Sequence, residues 1–240
     1  MAQTESNARE SGQGLVCAGP PLDYSFKELR TCGEIETEEP RSGLKRPEPR
    51  DPEATEPGDS PKLAATVKET TQPAAGTSQQ MAKKLIIRKI TTSVKLNNNM
   101  LETLSGLAPA LETAMPSPLQ NLQWLDVSFN HLTTVDPEIL QFPNMKALYL
   151  HGNNLSKLGD VERLKKLPKL ISLTMNGNPI QSAKIYRCFI LGCLPQLKSL
   201  DHTSITEEEA SAAAGWYRGH LHRQKLRKEA AEEARSMAMD

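Results

Sequence analysis

The chain has 240 residues, 38% of them apolar, and its 29 basic side chains are balanced by 29 acidic ones. That is enough apolar material for one sizeable core. No apolar run approaches bilayer length, and Met1 to Glu10 is polar without the apolar centre of a signal peptide, so a membrane partner is excluded and a reducing, cytoplasmic compartment is expected.

The four cysteines fit that compartment. Cys17 and Cys32 lie in the N-terminal third, while Cys188 and Cys193 show no paired spacing or histidine partners for zinc, so free thiols are expected. Residues 1–80 read as a mostly disordered tail. From Pro47 to Gln80 the sequence is rich in Pro, Ala, Thr, Ser and Glu with almost no large apolar residue, so burial cannot offset its ordering entropy. Short islands interrupt the tail at 20–26 and 38–46. Leu22, Tyr24 and Phe26 of the first are expected to dock on the open N-terminal end of the region that follows, or on its sheet.

Residues 81–205 carry one pattern over and over. It occurs as Val94-x-Leu96-x-x-Asn99-x-Leu101, Leu125-x-Val127-x-x-Asn130-x-Leu132, Leu148-x-Leu150-x-x-Asn153-x-Leu155 and Leu173-x-Met175-x-x-Asn178-x-Ile180. Successive asparagines are 31, 23 and 25 residues apart. Two apolar residues separated by a polar one make a short strand that buries alternate positions. The turn that follows would strand backbone groups inside the stack, and an asparagine amide offers both donors and an acceptor to satisfy them, so the four asparagines read as a structural ladder. The pattern resembles that of leucine-rich-repeat proteins, which implies an α/β solenoid with a curved parallel sheet and short helices on its convex side.

A second register agrees. Phe142-Pro143-Asn144-Met145, Leu167-Pro168-Lys169-Leu170 and Leu194-Pro195-Gln196-Leu197 each precede a strand, where proline pushes the residue before it toward extended angles and ends the return segment. In Leu158 to Leu167 the apolar residues Leu158, Val161, Leu164 and Leu167 recur at three-residue steps. A solenoid exposes an apolar cross-section at its ends, and residues 186–205, with Tyr186, Leu197, Leu200 and Asp201, resemble the capping motif that closes intracellular members of this family. Residues 206–240 read as a charged helix and tail. Thr206 and Glu209 have capping-box spacing, Glu207 and Glu208 favour the first turn, and Ala210, Ala214, Tyr217 and Leu221 make one weakly apolar face. Trp216 or Tyr217 is expected to fold the first half back on the last coil.

Function in a solenoid resides on the concave sheet face, whose side chains are the polar positions between the leucines. Aligning the repeats gives one column of Ser93, Trp124, Ala147, Ser172 and Ser199, a second of Lys95, Asp126, Tyr149, Thr174 and Asp201, and a third of Asn97, Ser128, His151, Asn176 and Thr203. Large aromatics held out from a rigid sheet are the anchors of protein interfaces. A protein-binding site is therefore expected at Lys95, Trp124, Asp126, Tyr149 and His151; the competing expectation is that the aromatics pack on one another or are covered by the tail.

Beyond the repeat, Pro20 to Phe26, Glu38 to Leu44, Leu96 to Asn99, Asp126 to Asn130 and Leu148 to Asn153 resemble a small intracellular member of the family, over roughly residues 20–217. That resemblance implies a cytoplasmic protein-binding adaptor without catalysis, with cilia and axonemes as a setting common among such proteins. No nucleophile with a base, metal cluster or cofactor loop is visible, the five histidines share no ligand spacing, and Gly12-Gln13-Gly14 is isolated, so no catalytic residue, cofactor, metal or small-molecule substrate is expected. The alternatives are a regulatory subunit of a protein phosphatase, using the same face, and an RNA-associated role resting on the basic stretch Arg218 to Lys228. A nucleic-acid partner is disfavoured because Glu229, Glu232 and Glu233 follow at once and no aromatics are interleaved.

Overall fold

The computed structural model describes residues 16–43 and 88–237. The disorder expected for Pro47 to Gln80 lies outside these residues. Strands β1 (Val16–Ala18) and β3 (Arg88–Ile90) form a two-stranded ladder. The main sheet has seven strands in the order β2 (Leu22–Asp23), β4 (Ser93–Lys95), β5 (Trp124–Asp126), β6 (Ala147–Tyr149), β7 (Ser172–Thr174), β8 (Ser199–Leu200) and β9 (Thr203–Ser204). All neighbours are parallel except the last pair.

The apolar pair of each repeat builds this sheet. Leu22, Val94, Leu125, Leu148, Leu173 and Leu200 stand in register and are fully buried. Tyr24, Leu96, Val127, Leu150 and Met175 form a second buried row beside them. The array thus begins at Leu22, ahead of the boundary expected near residue 81. Leu22-Asp23-Tyr24-Ser25-Phe26-Lys27-Glu28-Leu29 has the apolar spacing of Leu125 to Leu132, with Lys27 where the other coils have asparagine. Leu22 and Tyr24 dock on the open end as expected, by adding a strand, while Phe26 stays 58% exposed.

The asparagines bind each coil to the one before it. Nδ2 of Asn130 donates to Val127 O of its own coil at 3.0 Å and to Leu96 O of the preceding coil at 2.9 Å, while Oδ1 accepts from Leu101 N at 3.0 Å. Asn153 repeats this with Leu150 O, Val127 O and Leu132 N, and Asn178 with Met175 O, Leu150 O and Leu155 N. Asn99 does the same toward the N-terminal coil, donating to Leu96 O and Tyr24 O and accepting from Lys27 N and Leu29 N. Lys27 has no such duty because β2 is the edge strand, and its ammonium pairs with Glu38 at 3.1 Å.

The return segments are mostly 3-10 turns, at Pro137–Gln141, Leu158–Lys166 and Pro179–Ser182, where the longer first loop holds helices α1 (Leu107–Ala114) and α2 (Pro118–Asn121). The three-residue apolar steps of Leu158 to Leu167 are the period of a 3-10 helix, and Val161, Leu164 and Leu167 are buried.

Both sheet edges end in antiparallel pairing, which removes an open template for aggregation. Ser42 bridges Asp23 at one end. At the other, Asp201 and His202 (φ 51° and 63°) make a two-residue hairpin between β8 and β9. Asp201 takes over the ladder there: Oδ1 accepts from Met175 N at 2.7 Å and Asn176 N at 3.0 Å, and Oδ2 accepts from Tyr186 Oη at 2.8 Å. Helix α3 (Tyr186–Cys193) then receives α4 (Glu207–Met237). Thr206 Oγ1 accepts from Glu209 N at 3.2 Å, but the reciprocal half of the capping box is replaced by a bond from Arg187 Nη2 to Glu209 Oε2 at 2.9 Å. Tyr217 docks the first half of α4 as expected, with Ala213 beside it and both buried; of the rest of the expected stripe, Ala210 and Ala214 are half-buried and Leu221 is 40% exposed. Tyr217 Oη donates to Glu162 at 2.7 Å and accepts from Lys165 at 2.9 Å. Cys32 and Cys193 are buried thiols, Cys32 pushed up to about 12 by burial and nearby carboxylates.

Two stability outcomes follow from these contacts. Asn153→Ala leaves Val127 O, Leu150 O and Leu132 N without their buried partner and is expected to lower unfolding free energy by about 1–3 kcal/mol in urea titration. Gly192→Ala would drive a methyl group into Tyr217 Cβ and the Ala213 carbonyl, and is expected to lower it by about 1–3 kcal/mol while loosening α4 from α3.

Candidate protein-binding surface

The alternation that buries the leucines presents the residues between them on the other face of the sheet. Backbone pairing places Ser93, Trp124, Ala147, Ser172 and Ser199 in one column and Lys95, Asp126, Tyr149 and Thr174 in the next, in the expected registers. Asp23 extends the second column at its N-terminal end. The columns break at the last coil, because the hairpin turns the chain at Asp201: Thr203 pairs back with Leu200 and does not continue the third column. His202 is brought into the aromatic group in its place.

Four of the five expected residues are brought together through their rings or charges. Trp124 and Tyr149 meet edge to face with centroids 5.4 Å apart, and Lys95 Nζ lies 6.0 Å from the Trp124 centroid. Tyr149 lies 6.3 Å from His151, and His202 lies 5.9 Å from Tyr149 and 5.7 Å from His151. His151 Nδ1 stands 2.8 Å from Thr174 Oγ1. Burial and the neighbouring His202 hold the His151 pKa below its usual value against the opposing pull of Asp126 and Asp201, which favours the neutral ring. The fifth residue, Asp126, is turned to its own loop: Oδ1 accepts from Ser128 N at 3.0 Å and Ser128 Oγ at 2.6 Å.

Phe129 is an addition that column reasoning overlooked. It is 54% exposed, and its ring sits 5.1 Å from His151 and lies over Gly152, where even a methyl group would collide with it. Its backbone is left-handed (φ 52°), as are the equivalent residues Phe26, Asn98, Gly152 and Gly177 (φ 55°, 56°, 67° and 69°). Two coils use glycine at this position, where it is free of strain, and two place an exposed phenylalanine there. Phe26 is covered on one side by the Arg41 guanidinium, 5.6 Å from its centroid. The signal was present in the sequence as Asp-x-Ser-Phe at Asp23 to Phe26 and Asp126 to Phe129.

Among the described residues, no group of three or more His, Cys, Asp or Glu side chains is placed to hold a metal ion, and no helix is long and apolar enough to cross a membrane.

The leucine-rich-repeat family pattern matches residues 111–231. Leucine-rich repeat-containing protein 51 of Rattus norvegicus is 36% identical over 208 residues, covering 87% of this chain and 90% of that protein, and the Homo sapiens protein is 33% identical over 202 residues, covering 84% and 87%. The chain belongs to the family of leucine-rich repeat-containing protein 51. A second curated relative, the probable U2 small nuclear ribonucleoprotein A′ of Caenorhabditis elegans, is 34% identical over 91 residues, which is 38% of this chain and 36% of that protein. Among solved structures, the Drosophila melanogaster SNF/U2A′ complex aligns at 25% identity with a TM-score of 0.47, covering 57% of this chain and 75% of that chain.

As a leucine-rich-repeat protein, the chain has a protein-interaction repeat domain, and its aromatic surface spans the third to the last coil. Phe129→Gly, which removes an exposed ring and left-handed strain of about 1 kcal/mol, is expected to melt no lower than the wild type, and above Phe129→Ala, which keeps the strain. A glycine variant that melts below the wild type would assign Phe129 to the packing of the turn.

Proposed function

We propose that this protein is a non-catalytic adaptor that binds a protein partner on the concave face of its sheet, through Trp124, Tyr149 and His151 with Phe129 and His202 beside them. The observation that supports this best is the continuous set of ring contacts on that face, each ring carried by a different strand or turn of a stack tied together by buried asparagines. Trp and Tyr give large contact area with little entropy to lose, and a rigid sheet lowers the ordering cost of binding. We place it in the cytoplasm, and the resemblance to short intracellular repeat proteins makes ciliated cells the source to examine. A phosphatase catalytic subunit is one partner that such a face could serve.

Capture from ciliated cells, followed by mass spectrometry, tests this reading. The double variant Trp124→Ala, Tyr149→Ala, folded as judged by circular dichroism, is expected to lose a small set of proteins, with about 2 kcal/mol or more lost per hot spot. Retention of every partner would move the site off this face.

An RNA-associated role is the second reading, favoured by the similarity to the A′ ribonucleoprotein and by the exposed basic residues Arg218, Arg223, Lys225, Arg227 and Lys228 of α4. Lys225 is already paired along the helix with Glu229 at 3.6 Å. Replacing Arg223, Lys225, Arg227 and Lys228 by alanine is expected to leave partner capture unchanged; loss of a salt-sensitive RNA would establish the second reading instead.

A further inference from the structure

The middle column of the concave face reads Asp23, Lys95, Asp126, Tyr149 across successive strands, so one ammonium stands between two carboxylates, each one strand away. Asp23 Oδ1 accepts from Ser25 N at 2.9 Å and Ser25 Oγ at 2.6 Å, and Asp126 Oδ1 is held in the same way by Ser128. These bonds fix both carboxylates and leave Oδ2 of each without a hydrogen bond among the described residues. Lys95 forms no ion pair within 4 Å among the described residues; its charge acts on Asp23, as does that of Arg41, and its ammonium lies 6.0 Å from the centroid of the Trp124 ring.

Trp124 and Tyr149 stand at 86° to one another, as two walls of a corner. Ring faces carry the negative lobe of the aromatic quadrupole, so they repel anions and attract cations within about 6 Å. The exposed lysines Lys146 and Lys198 lie one residue before Ala147 and Ser199, at the strand starts, and burial favours the neutral form of His151 on the far side. The corner therefore offers π faces with the free oxygen of Asp126 on the strand beside Tyr149, and the chain's own Lys95 stands over one of its rings.

Resting on the reading of this face as the binding surface, we infer that the Trp124–Tyr149 corner, with the free oxygen of Asp126 beside it, is a seat for an arginine side chain of the partner protein, and that Lys95, over the Trp124 ring, holds its place in the free chain. A guanidinium suits the corner better than an ammonium, because its plane stacks on a ring while the N–H groups at its edge reach a carboxylate. The Lys95 ammonium, on a flexible four-carbon stem, swings out to solvent as the guanidinium enters.

The test uses the full chain labelled with nitrogen-15, whose two tryptophan indole N–H signals are assigned with Trp216→Phe. The probe is a blocked Gly-Arg-Gly peptide, compared with the same peptide carrying lysine, citrulline or glutamate. The arginine peptide is expected to move the Trp124 signal and leave that of Trp216 in place, while the neutral citrulline peptide and the glutamate peptide move neither. Lys95→Ala, by removing the internal competitor, is expected to tighten the arginine peptide about two- to fivefold. Asp126→Asn keeps the Oδ1 acceptor for Ser128 and is expected to weaken it. Weaker binding by Lys95→Ala, a preference for glutamate, or equal binding of citrulline would overturn the seat, and equal binding of lysine would overturn its assignment to arginine. If the Trp124, Tyr149 double variant loses its partners in capture while the arginine peptide leaves Trp124 unmoved, only the seat fails. If that variant keeps every partner, the reading of the face fails with it.

Discussion

Each of the first four coils of this protein depends on an amide that belongs to the next one. Asn99, Asn130, Asn153 and Asn178 each donate to a carbonyl of their own coil and to one of the coil before, and each takes an N–H from that preceding coil. The turn is buried, so its backbone groups have no water to fall back on, and a side chain with two donors and one acceptor is the residue type that closes the account on both sides. The direction of this bond gives the array its polarity. An asparagine requires a coil before it, the edge coil at Leu22 can carry Lys27 instead, and the last coil can end on the acceptor-only Asp201.

That polarity also shows how much could be read from the sequence. The solenoid, the strand registers, the ladder and the C-terminal cap follow from apolar spacing and recurring asparagine, because both are local and repeated. The N-terminal coil was harder to see: Lys27 breaks the motif, and the long polar stretch after residue 43 separates the coil from the strand it pairs with. Yet Asn99 already called for it, since an asparagine there has nowhere to direct its amide unless a coil lies ahead. The residues beside Tyr217 on the docking face of α4 were misjudged for a different reason. Ala213 and Ala214 differ little as sequence, and the choice between them is made by Gly192, whose missing side chain lets Tyr217 approach α3.

The candidate site was legible where it depends on strand alternation and hidden where it depends on turns. Trp124 and Tyr149 follow from register alone. Phe129 and His202 sit in left-handed turn conformations outside the strand alternation, and both extend the aromatic surface around His151. The ladder and the leucines point into the stack, and the rings point away from it on the other face of the sheet. The buried amides hold strands at fixed spacing, and fixed spacing is what lets side chains on different coils act as one surface.

Amide hydrogen exchange in the full chain, comparing wild type with Asn99→Ala, tests the coupling between neighbouring coils most directly. The coupling predicts slow exchange at Lys27, Leu29 and Leu132 in the wild type, and in the variant fast exchange at Lys27 and Leu29 while Leu132, held by Asn153, stays protected. Fast exchange at Leu29 in the wild type, or unchanged protection there in the variant, would contradict it.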